Sequence, residues 1–339
     1  MKNRYTLALL LSFFLSSLEI KAQDSNYNSL DLQSCIEIAL ENNLTLKRSE
    51  INLALSEATL LESQGQRLPS LNVGGSAGYR WGRSINPRTN LFENTRIGNF
   101  NPFGSTDLTV FAGQRITNTI KQSKTDIQVN QLNVKTTENN ITLNVINLFI
   151  NVIFSEEQLK IARNQLASTK EQLTNTTKLV DAGSLPLANK LDLQAQNATN
   201  ELEVLNAENS LRGAKLNLLQ AMQLPFDPNF EVIAPDLSVE NIALSGQSVD
   251  EIYNLSKEIL PQIKAAELAV ESAEYGVRAA KGAFYPTLGV GADIFSNYVD
   301  LIPLNNQRDR FWVQMDENLS QSASIRLNIP IFTNFRNKS

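Results

Sequence analysis

The chain has 339 residues, carries a net charge of −5 and contains no histidine. An acidic chain without a basic stripe is not expected to bind nucleic acid. The absence of histidine removes the commonest general base and the commonest metal ligand, which weakens every enzyme hypothesis. We also find no phosphate-binding glycine loop and no nucleophile elbow. The sequence therefore predicts no catalytic residue, no cofactor and no metal site.

Residues 1–22 have the pattern of a secretory signal peptide. Two basic residues, Lys2 and Arg4, precede an apolar core from Thr6 to Leu18 and a small-residue end at Ala22. The apolar core has about 13 residues, whereas a membrane-spanning helix needs about 20. We expect the mature chain to be exported without a helical anchor.

The lone cysteine, Cys35, permits two interpretations. The preceding residues Leu32-Gln33-Ser34 weakly resemble a lipidation box, but they lie far beyond the apolar core of the signal. Cys35 also falls in an amphipathic pattern with Ile36 and Leu40, which is typical of a helix. We favour a buried position on a helix over a lipid-modified cysteine.

Four segments alternate between apolar and polar residues, as β-strands with one buried face do. They are residues 71–81, 107–111, 288–294 and 322–331. Alternating segments of about ten residues with aromatic residues toward one end fit outer-membrane strands, although they also fit a soluble half-buried sheet. Export and the acidic mature chain favour the membrane. Because the smallest membrane barrels have about eight strands, a barrel would need several chains. The polar connections 83–104 and 299–321 are predicted to be loops.

Residues 114–182 contain neither glycine nor proline, which predicts one very long helix. Two heptad series, from Ile120 to Leu148 and from Val145 to Val180, indicate a coiled coil. Gly183 suits the left-handed residue that ends a helix, and Pro186 suits the first turn of the next one. The return helix runs to about Met222, with its seam predicted on Leu191, Ala198, Leu205 and Leu219. The segment 146–154 is apolar on several faces and needs a cover.

An internal repeat organises the chain. The residues around Pro69 recur around Pro286, and Phe111 to Arg115 recur as Phe332 to Arg336. We predict a signal peptide (1–22), a first repeat (23–247) and a second repeat (248–339). The first repeat holds a helix, two strands, the hairpin 114–222 and the segment 223–247. The second repeat holds a helix and two strands but no second hairpin. We therefore expect the chain to be a C-terminally truncated piece of a longer protein.

Three motifs resemble the outer-membrane efflux protein family, the TolC-like channel-tunnels, in a Bacteroidetes-type form. The motifs are the opening helix at 32–46, Leu-Pro-Ser-Leu at 68–71 with Tyr-Pro-Thr-Leu at 285–288, and the hairpin tip at 182–185 followed by 191–196. Each motif is weak alone. Their order follows the family's order across the whole mature chain.

The resemblance implies a mixed α/β membrane protein that forms a homotrimer. Four strands from each chain would build a 12-stranded outer-membrane barrel, and antiparallel coiled-coil hairpins would continue it as a tunnel in the periplasm. Residues 223–247 and Leu30–Asn43 would form an equatorial belt that covers the apolar patch at 146–154. A periplasmic adaptor (membrane fusion) protein and an inner-membrane pump would dock at the helical tips. Efflux or secretion substrates would then pass to the exterior.

The family resemblance and the strand alternation together predict which residues form the functional sites. The resemblance implies adaptor contact at the tip residues Gly183, Ser184 and Leu185. It places Asp181, Asn189 and Asp192 near the constriction, although ordinary solvation of a helix end explains the two aspartates equally well. Strand alternation predicts that six polar residues face the barrel lumen: Asn72, Ser76, Arg80, Asp293, Arg326 and Asn328.

Two other functions are compatible with parts of the sequence. A periplasmic adaptor or scaffold protein could use the helical hairpin to bind partners without forming a pore. An enzyme is the weakest hypothesis because no polar cluster suggests a catalytic site. The strands discriminate between these functions, since an adaptor has no reason to carry four strands compatible with lipid.

Overall fold

A computed structural model describes residues 29–85, 90–234, 248–301 and 311–333. The predicted signal peptide, part of the segment 223–247 and the end of the second repeat lie outside the described residues. Contacts between Cα atoms divide the chain into two compact units. One unit comprises the residues up to Asn43 with Asn140–Ile242, and the other comprises Leu44–Asn139 with the residues from Ala243 onward. The boundaries of these two units differ from those of the two predicted repeats. The repeat boundaries therefore stay a prediction.

The helices of the described residues include the predicted hairpin. They are α1 (Leu32–Asn42), α2 (Leu44–Gly65), α3 (Arg115–Asp181), α4 (Leu187–Ala221), α5 (Val249–Ile259), α6 (Pro261–Gly282) and α7 (Phe311–Glu317). Helix α3, with 67 residues, and helix α4 confirm the hairpin predicted at 114–222. Local signals set several of the helix starts. Ser248 and Glu251 form a reciprocal capping box before α5, and Pro261 occupies the first turn of α6.

The strands form one antiparallel sheet and one short parallel pair. They are β1 (Ser29–Leu30), β2 (Ser70–Ile85), β3 (Phe92–Ala112), β4 (Glu231–Val232), β5 (Thr287–Phe295), β6 (Tyr298–Leu301) and β7 (Ser320–Asn328). The larger sheet has the order β2-β3-β5-β7, with β6 also paired to β3, while β1 pairs with β4. The four predicted strands are therefore confirmed as the main strands of a mixed helix and sheet fold.

The predicted loops at 83–104 and 299–321 are wrong in part. Strands β2 and β3 pair continuously from Ser70 opposite Asp107 to Ile85 opposite Phe92, because backbone hydrogen bonds extend a hairpin through polar residues that carry no apolar period. The second segment contains α7, which aromatic packing fixes in place. The rings of Tyr298 and Phe311 lie 4.9 Å apart.

The strand register reproduces the internal repeat. Ser70 pairs with Asp107 in the first hairpin, and Thr287 pairs with Asn328 in the second. Ser70 and Thr287 are separated along the sequence by the same number of residues as Pro69 and Pro286. Asp107 and Asn328 are likewise separated by the same number as Phe111 and Phe332. The two hairpins β2–β3 and β5–β7 are therefore copies of one unit in the same register.

The sheet has two faces of opposite polarity. Directly paired residues share a face, so Leu71, Thr106, Ala292 and Ala323 form one row across the four strands. The next row, Asn72, Ser105, Asp293 and Ser322, lies on the other face. We call the first the apolar face and the second the polar face, which also carries the exposed rings of Phe103 and Phe295 at one end. The apolar face carries exposed large side chains on all four strands: Leu71, Val73, Tyr79, Trp81, Phe111, Val290, Ile294, Ile325 and Leu327.

A bulge in β3 keeps an aromatic residue on the apolar face. The β3–β5 register shifts between Thr109 and Phe111, so that one extra residue is inserted. Phe111 consequently pairs with Leu288 on the apolar face, whereas strict alternation from Asp107 would place it on the polar face. Strand β3 then ends at Ala112, and the next residue, Gly113, has φ +58. A Cβ at Gly113 would lie 2.5 Å from the carbonyl oxygen of Gly282, so no side chain fits there.

A compact apolar core lies in the unit that contains most of the hairpin. It joins Cys35 and Ala39 of α1 to Phe149 of α3, and to Met222 and Phe230 at and beyond the end of α4. Lys215 ties the chain after α4 to the hairpin, since its ammonium group donates to the carbonyl oxygen of Phe230 at 2.6 Å. Cys35 is fully buried, as we predicted.

The predicted cover of the apolar patch at 146–154 is only partly correct. Phe149 and Val152 are fully buried beneath the opening helix and the chain after α4. Ile150 and Phe154 lie on another side of α3 and are 56% and 61% exposed. These two residues belong to a second apolar stripe on α3, which within the described residues also holds Leu143 and Ile161.

Helix α4 packs on α3 through a different stripe from the predicted one. The seam runs through residues spaced alternately by about three and four positions, as in a heptad: Leu193, Asn197, Asn200, Val204, Ala207, Leu211, Ala214 and Leu218. The predicted seam is wrong at Leu191 and Leu205, which are each 54% exposed, and correct at Leu219, which is buried. Helix α4 has two apolar stripes, and periodicity alone does not tell which one packs within the chain.

One polar pair is buried in the α3–α4 seam. The side-chain amide nitrogen of Asn200 donates to the hydroxyl oxygen of Thr169 at 2.8 Å. Gln196 donates in turn to the amide oxygen of Asn200 at 2.8 Å. A satisfied polar pair in an apolar seam stabilises one register, because a shifted register would leave both groups without their partners.

Burial makes Cys35 chemically inert in the folded chain. Desolvation raises its pKa from 9.0 to about 12, so at pH 8 the thiolate fraction falls by about a thousandfold. We expect a thiol-reactive dye to label the native chain at least that much more slowly than the chain unfolded in guanidinium. Equal labelling rates in the two states would contradict the buried position.

Candidate pore-lining face and helical tip

The six predicted lumen residues share the polar face of the sheet. Asn72 lies in one row with Asp293, and Ser76 and Arg80 follow on the same face of β2 at steps of four residues. Arg326 and Asn328 extend that face on β7. All six side chains are exposed. The strand register thus places them together, and their role in lining a pore stays a prediction.

The polar face carries an ion pair that spans three strands. The guanidinium of Arg326 on β7 lies 3.4 Å from the carboxylate of Asp107 on β3, with β5 between them. Gly291 on β5 leaves the space for this contact, because a Cβ there would lie 2.9 Å from the Asp107 carboxylate. Both side chains are exposed, so the pair contributes at most about 1 kcal/mol to stability. Its main effect is to set the local charge of the face.

Sequence reasoning did not include Asp107 among the site residues. The predicted strand began at that residue, which left no alternation upstream to assign it a face. Pairing with Ser70 and Gly291 assigns it to the polar face. Extending β3 until it matched the length of its hairpin partner β2 would have placed Asp107 on the polar face.

Aromatic and charged side chains meet at one end of the apolar face. The guanidinium of Arg96 lies 4.8 Å from the ring centroid of Tyr79, and the rings of Tyr79 and Trp81 are 6.0 Å apart. Arg96 also lies 3.8 Å from the carboxylate of Asp300. An amphipathic cluster of this kind is typical of the rim of a membrane-exposed band.

The apolar face has the dimension of a membrane band. From Leu71 to Trp81 the strand rises about 33 Å, which corresponds to a height of about 25 Å at a tilt of about 40°. Outer-membrane barrels carry an apolar band of about 25 Å. The length of this face therefore fits a lipid bilayer without adjustment.

The hairpin tip is closed by a Schellman motif. The backbone N–H of Ser184 donates to the carbonyl oxygen of Leu179 at 2.8 Å, and that of Gly183 donates to Val180 at 2.9 Å. Gly183 has φ +75, a conformation that glycine adopts without a steric penalty. Pro186 is the N-cap of α4. The predicted turn between the two helices is confirmed.

The predicted tip residues lie on this turn, and the predicted constriction residues lie on the helix ends that flank it. Gly183 and Ser184 are exposed and Leu185 is half-buried, while Asp181, Asn189 and Asp192 are exposed. The ammonium group of Lys190 lies 3.6 Å from the carboxylate of Asp181. Sequence reasoning missed Lys190, since only the hairpin geometry brings it beside a residue on the preceding helix. Asp181 is therefore partly neutralised within the chain.

Two further findings concern the described ranges only. Within them no set of His, Cys, Asp or Glu side chains is grouped as a metal site would require. In those same ranges, no helix has both the length and the apolar character needed to cross a membrane.

Gly183→Ala is expected to destabilise the hairpin by about 1–2 kcal/mol, because alanine pays a steric penalty at positive φ. Gly213→Ala in α4 is the matched control, since a Cβ there meets nothing within 4 Å. That substitution should stabilise the helix by about 0.5–1 kcal/mol. Thermal unfolding followed by circular dichroism at the helix band measures both changes. A Gly183→Ala variant as stable as Gly213→Ala would contradict the tip geometry.

The chain is similar to solved outer-membrane channels in fold. The CusC structures, described as undergoing transmembrane channel formation, match with a TM-score of 0.73 and 19% identity, covering 91% of this chain and 67% of that one. VceC from Vibrio cholerae matches with a TM-score of 0.72 and 16% identity, covering 91% and 70%. The Campylobacter jejuni channel CmeC gives 0.71 and 17%, covering 91% and 63%. The chain thus spans about two thirds of the length of these channels.

The family follows from the sequence match. No curated protein matches the chain. The family model described as outer membrane efflux protein matches residues 35–222, which is more than half of the chain. The match includes most of the opening helix, the first strand hairpin and the whole helical hairpin. This confirms the resemblance drawn from the three motifs, and the chain belongs to the outer membrane efflux protein family.

Proposed function

We propose that this chain is a protomer of an outer-membrane channel-tunnel that conducts efflux or secretion substrates from the periplasm to the exterior. The observation that carries the proposal is the two-faced sheet, with an exposed apolar face and an opposite polar face. Family membership favours this function over the periplasmic adaptor or scaffold. Conduction requires no catalytic step, and the proposal includes no enzyme activity, cofactor or nucleic-acid partner.

The apolar face supports a position in lipid. Val73 and Ile325 are 84% and 77% exposed, and they belong to a continuous apolar surface across the sheet. Soluble proteins rarely leave such a surface in water, because exposed apolar area costs about 25 cal/mol per Å². Outer-membrane lipid would cover it without any further protein. The aromatic rim at Tyr79 and Trp81 fits the boundary between lipid and water.

The open edges of the sheet support assembly from several copies. Strands β2 and β7 end the strand order, and unpaired backbone groups are strongly unfavourable in lipid. A closed barrel therefore requires strands from other chains, and the family resemblance points to a homotrimer. The second apolar stripes of the hairpin agree with this assembly. Leu143 and Phe154 on α3 and Leu202 on α4 are exposed and would pack against neighbouring helices.

The polar face would then line the pore. Its charged residues are of both signs: Arg80, Asp107, Asp293 and Arg326. Because Asp107 and Arg326 are paired, we expect only weak charge selectivity from this part of the channel. Asn72, Ser76 and Asn328 would contribute uncharged polar groups to the same lumen.

The hairpin tip would meet the partners. We propose that Gly183, Ser184 and Leu185 contact a periplasmic adaptor protein, which links the channel to an inner-membrane pump. Asp181, Asn189 and Asp192 would lie at the tunnel constriction. The ion pair with Lys190 reduces the negative charge that Asp181 contributes there, so Asp192 would be the stronger site for cations.

Two neighbouring substitutions on β7 test the membrane position. Ile325→Arg places a charge on the apolar face, which costs about 2–4 kcal/mol at the middle of a bilayer. Ser324→Arg places the same charge on the polar face. We expect Ile325→Arg to abolish assembly in the outer membrane, and Ser324→Arg to assemble and to shift the conductance toward anions. Membrane fractionation and planar-bilayer recording provide the two measurements.

A different result would favour the adaptor function. If both variants and the unchanged chain are released by osmotic shock, the sheet does not lie in lipid. Equal assembly of Ile325→Arg and Ser324→Arg would likewise contradict the assignment of the two faces.

A photo-crosslinking amino acid at Ser184 tests the tip in cells that express the chain. We expect mass spectrometry to identify a periplasmic membrane fusion protein as the crosslinked partner. The same probe at Arg163, an exposed position far from the tip on α3, is the control. Enrichment of the same partner from both positions, or from neither, would contradict adaptor docking at the tip.

A further inference from the structure

We propose that β7 of one chain pairs antiparallel with β2 of a second copy, with Arg326 opposite Ser76 and Asn328 opposite Gly74. This inference rests on the proposed homo-oligomeric channel and adds the residue register of its subunit contact. It follows from the internal repeat, the strand order and the polarity of the sheet.

The two edge strands are the surfaces available for this contact. Within the described residues, β2 and β7 lie at opposite ends of the strand order. Their outer edges present backbone donors and acceptors, and a strand of another molecule satisfies such groups best. The strand order alone does not say which residue of β7 lies opposite which residue of β2.

The repeat supplies that register. The matching hairpin registers make β7 the counterpart of β3, and β2 the counterpart of β5. The pairing of β3 with β5 inside one chain is therefore a template for the pairing of β7 with β2 between chains. Asp107 opposite Gly291 and Ser105 opposite Asp293 become Asn328 opposite Gly74 and Arg326 opposite Ser76.

The polarity of the strands agrees with this register independently. Arg326 and Ser76 both lie on the polar face, and the neighbouring pair Ile325 and Ala77 both lie on the apolar face. A shift of one residue would place the apolar side chains of β7 opposite the residues of β2 that belong to the polar face. A shift of two residues would keep the faces but break the repeat. A polar side chain opposite glycine, as at Asp107 and Gly291, recurs at Asn328 and Gly74.

Disulfide crosslinking of the full chain tests the register. Directly opposed residues have Cα atoms about 4.5–5.5 Å apart, which a disulfide spans. We expect the double variant Ser76→Cys/Arg326→Cys to form covalent dimers and trimers when detergent-solubilised membranes are oxidised with copper phenanthroline. Asn72→Cys/Arg326→Cys is the matched control on the same face, displaced by about 13 Å along the strand. It should remain monomeric, as should the single variants, because the native Cys35 is buried.

Glutaraldehyde treatment of the same samples separates the possible failures. If glutaraldehyde gives trimers but the control pair crosslinks instead, or neither pair does, the register is wrong and the proposed channel stands. A disulfide that forms within one monomer also overturns the register. If glutaraldehyde gives only monomers, the proposed homo-oligomer fails, and the register fails with it.

Discussion

The pairing of backbone groups across a sheet with one apolar and one polar face is the constraint on which this structure depends. The register of β2, β3, β5 and β7 places every directly opposed row on one face. This arrangement lets lipid cover one side while polar groups face the other. It also leaves two edges that a single chain does not close, so that membrane position and assembly follow from the same hydrogen-bond pattern.

The sequence was sufficient to predict the faces of the sheet but not its extent. Alternation along the predicted strands identified the polar residues of each strand, and the register then placed all six lumen candidates on one face. It missed the end of β2 after Trp81 and most of β3 before Asp107, because their pairing depends on backbone hydrogen bonds that any residue can form. It also missed the bulge before Phe111, where an inserted residue reverses the alternation. Asp107 was not predicted as a site residue because the part of β3 that precedes it was missed.

The helices illustrate a second limit of sequence reasoning. The long helix and its Schellman turn were predictable, since the absence of glycine and proline and the position of Gly183 act locally. The packing stripe of α4 was not, because both of its stripes are apolar. The structure buries the stripe that holds Asn200 and leaves Leu191 and Leu205 exposed. That second stripe accords with a tunnel wall in which each helix has neighbours on two sides.

Fluorescence of Trp81 tests most directly whether the apolar face contacts lipid. The chain has two tryptophans, so the Trp312→Phe variant leaves Trp81 as the only one. Reconstituted in vesicles, this variant should lose a large part of its emission when brominated lipids replace ordinary ones, and aqueous acrylamide should quench it less than it quenches the same variant unfolded in guanidinium. Strong quenching by acrylamide with no effect of brominated lipids would contradict the account, because the apolar face would then lie in water.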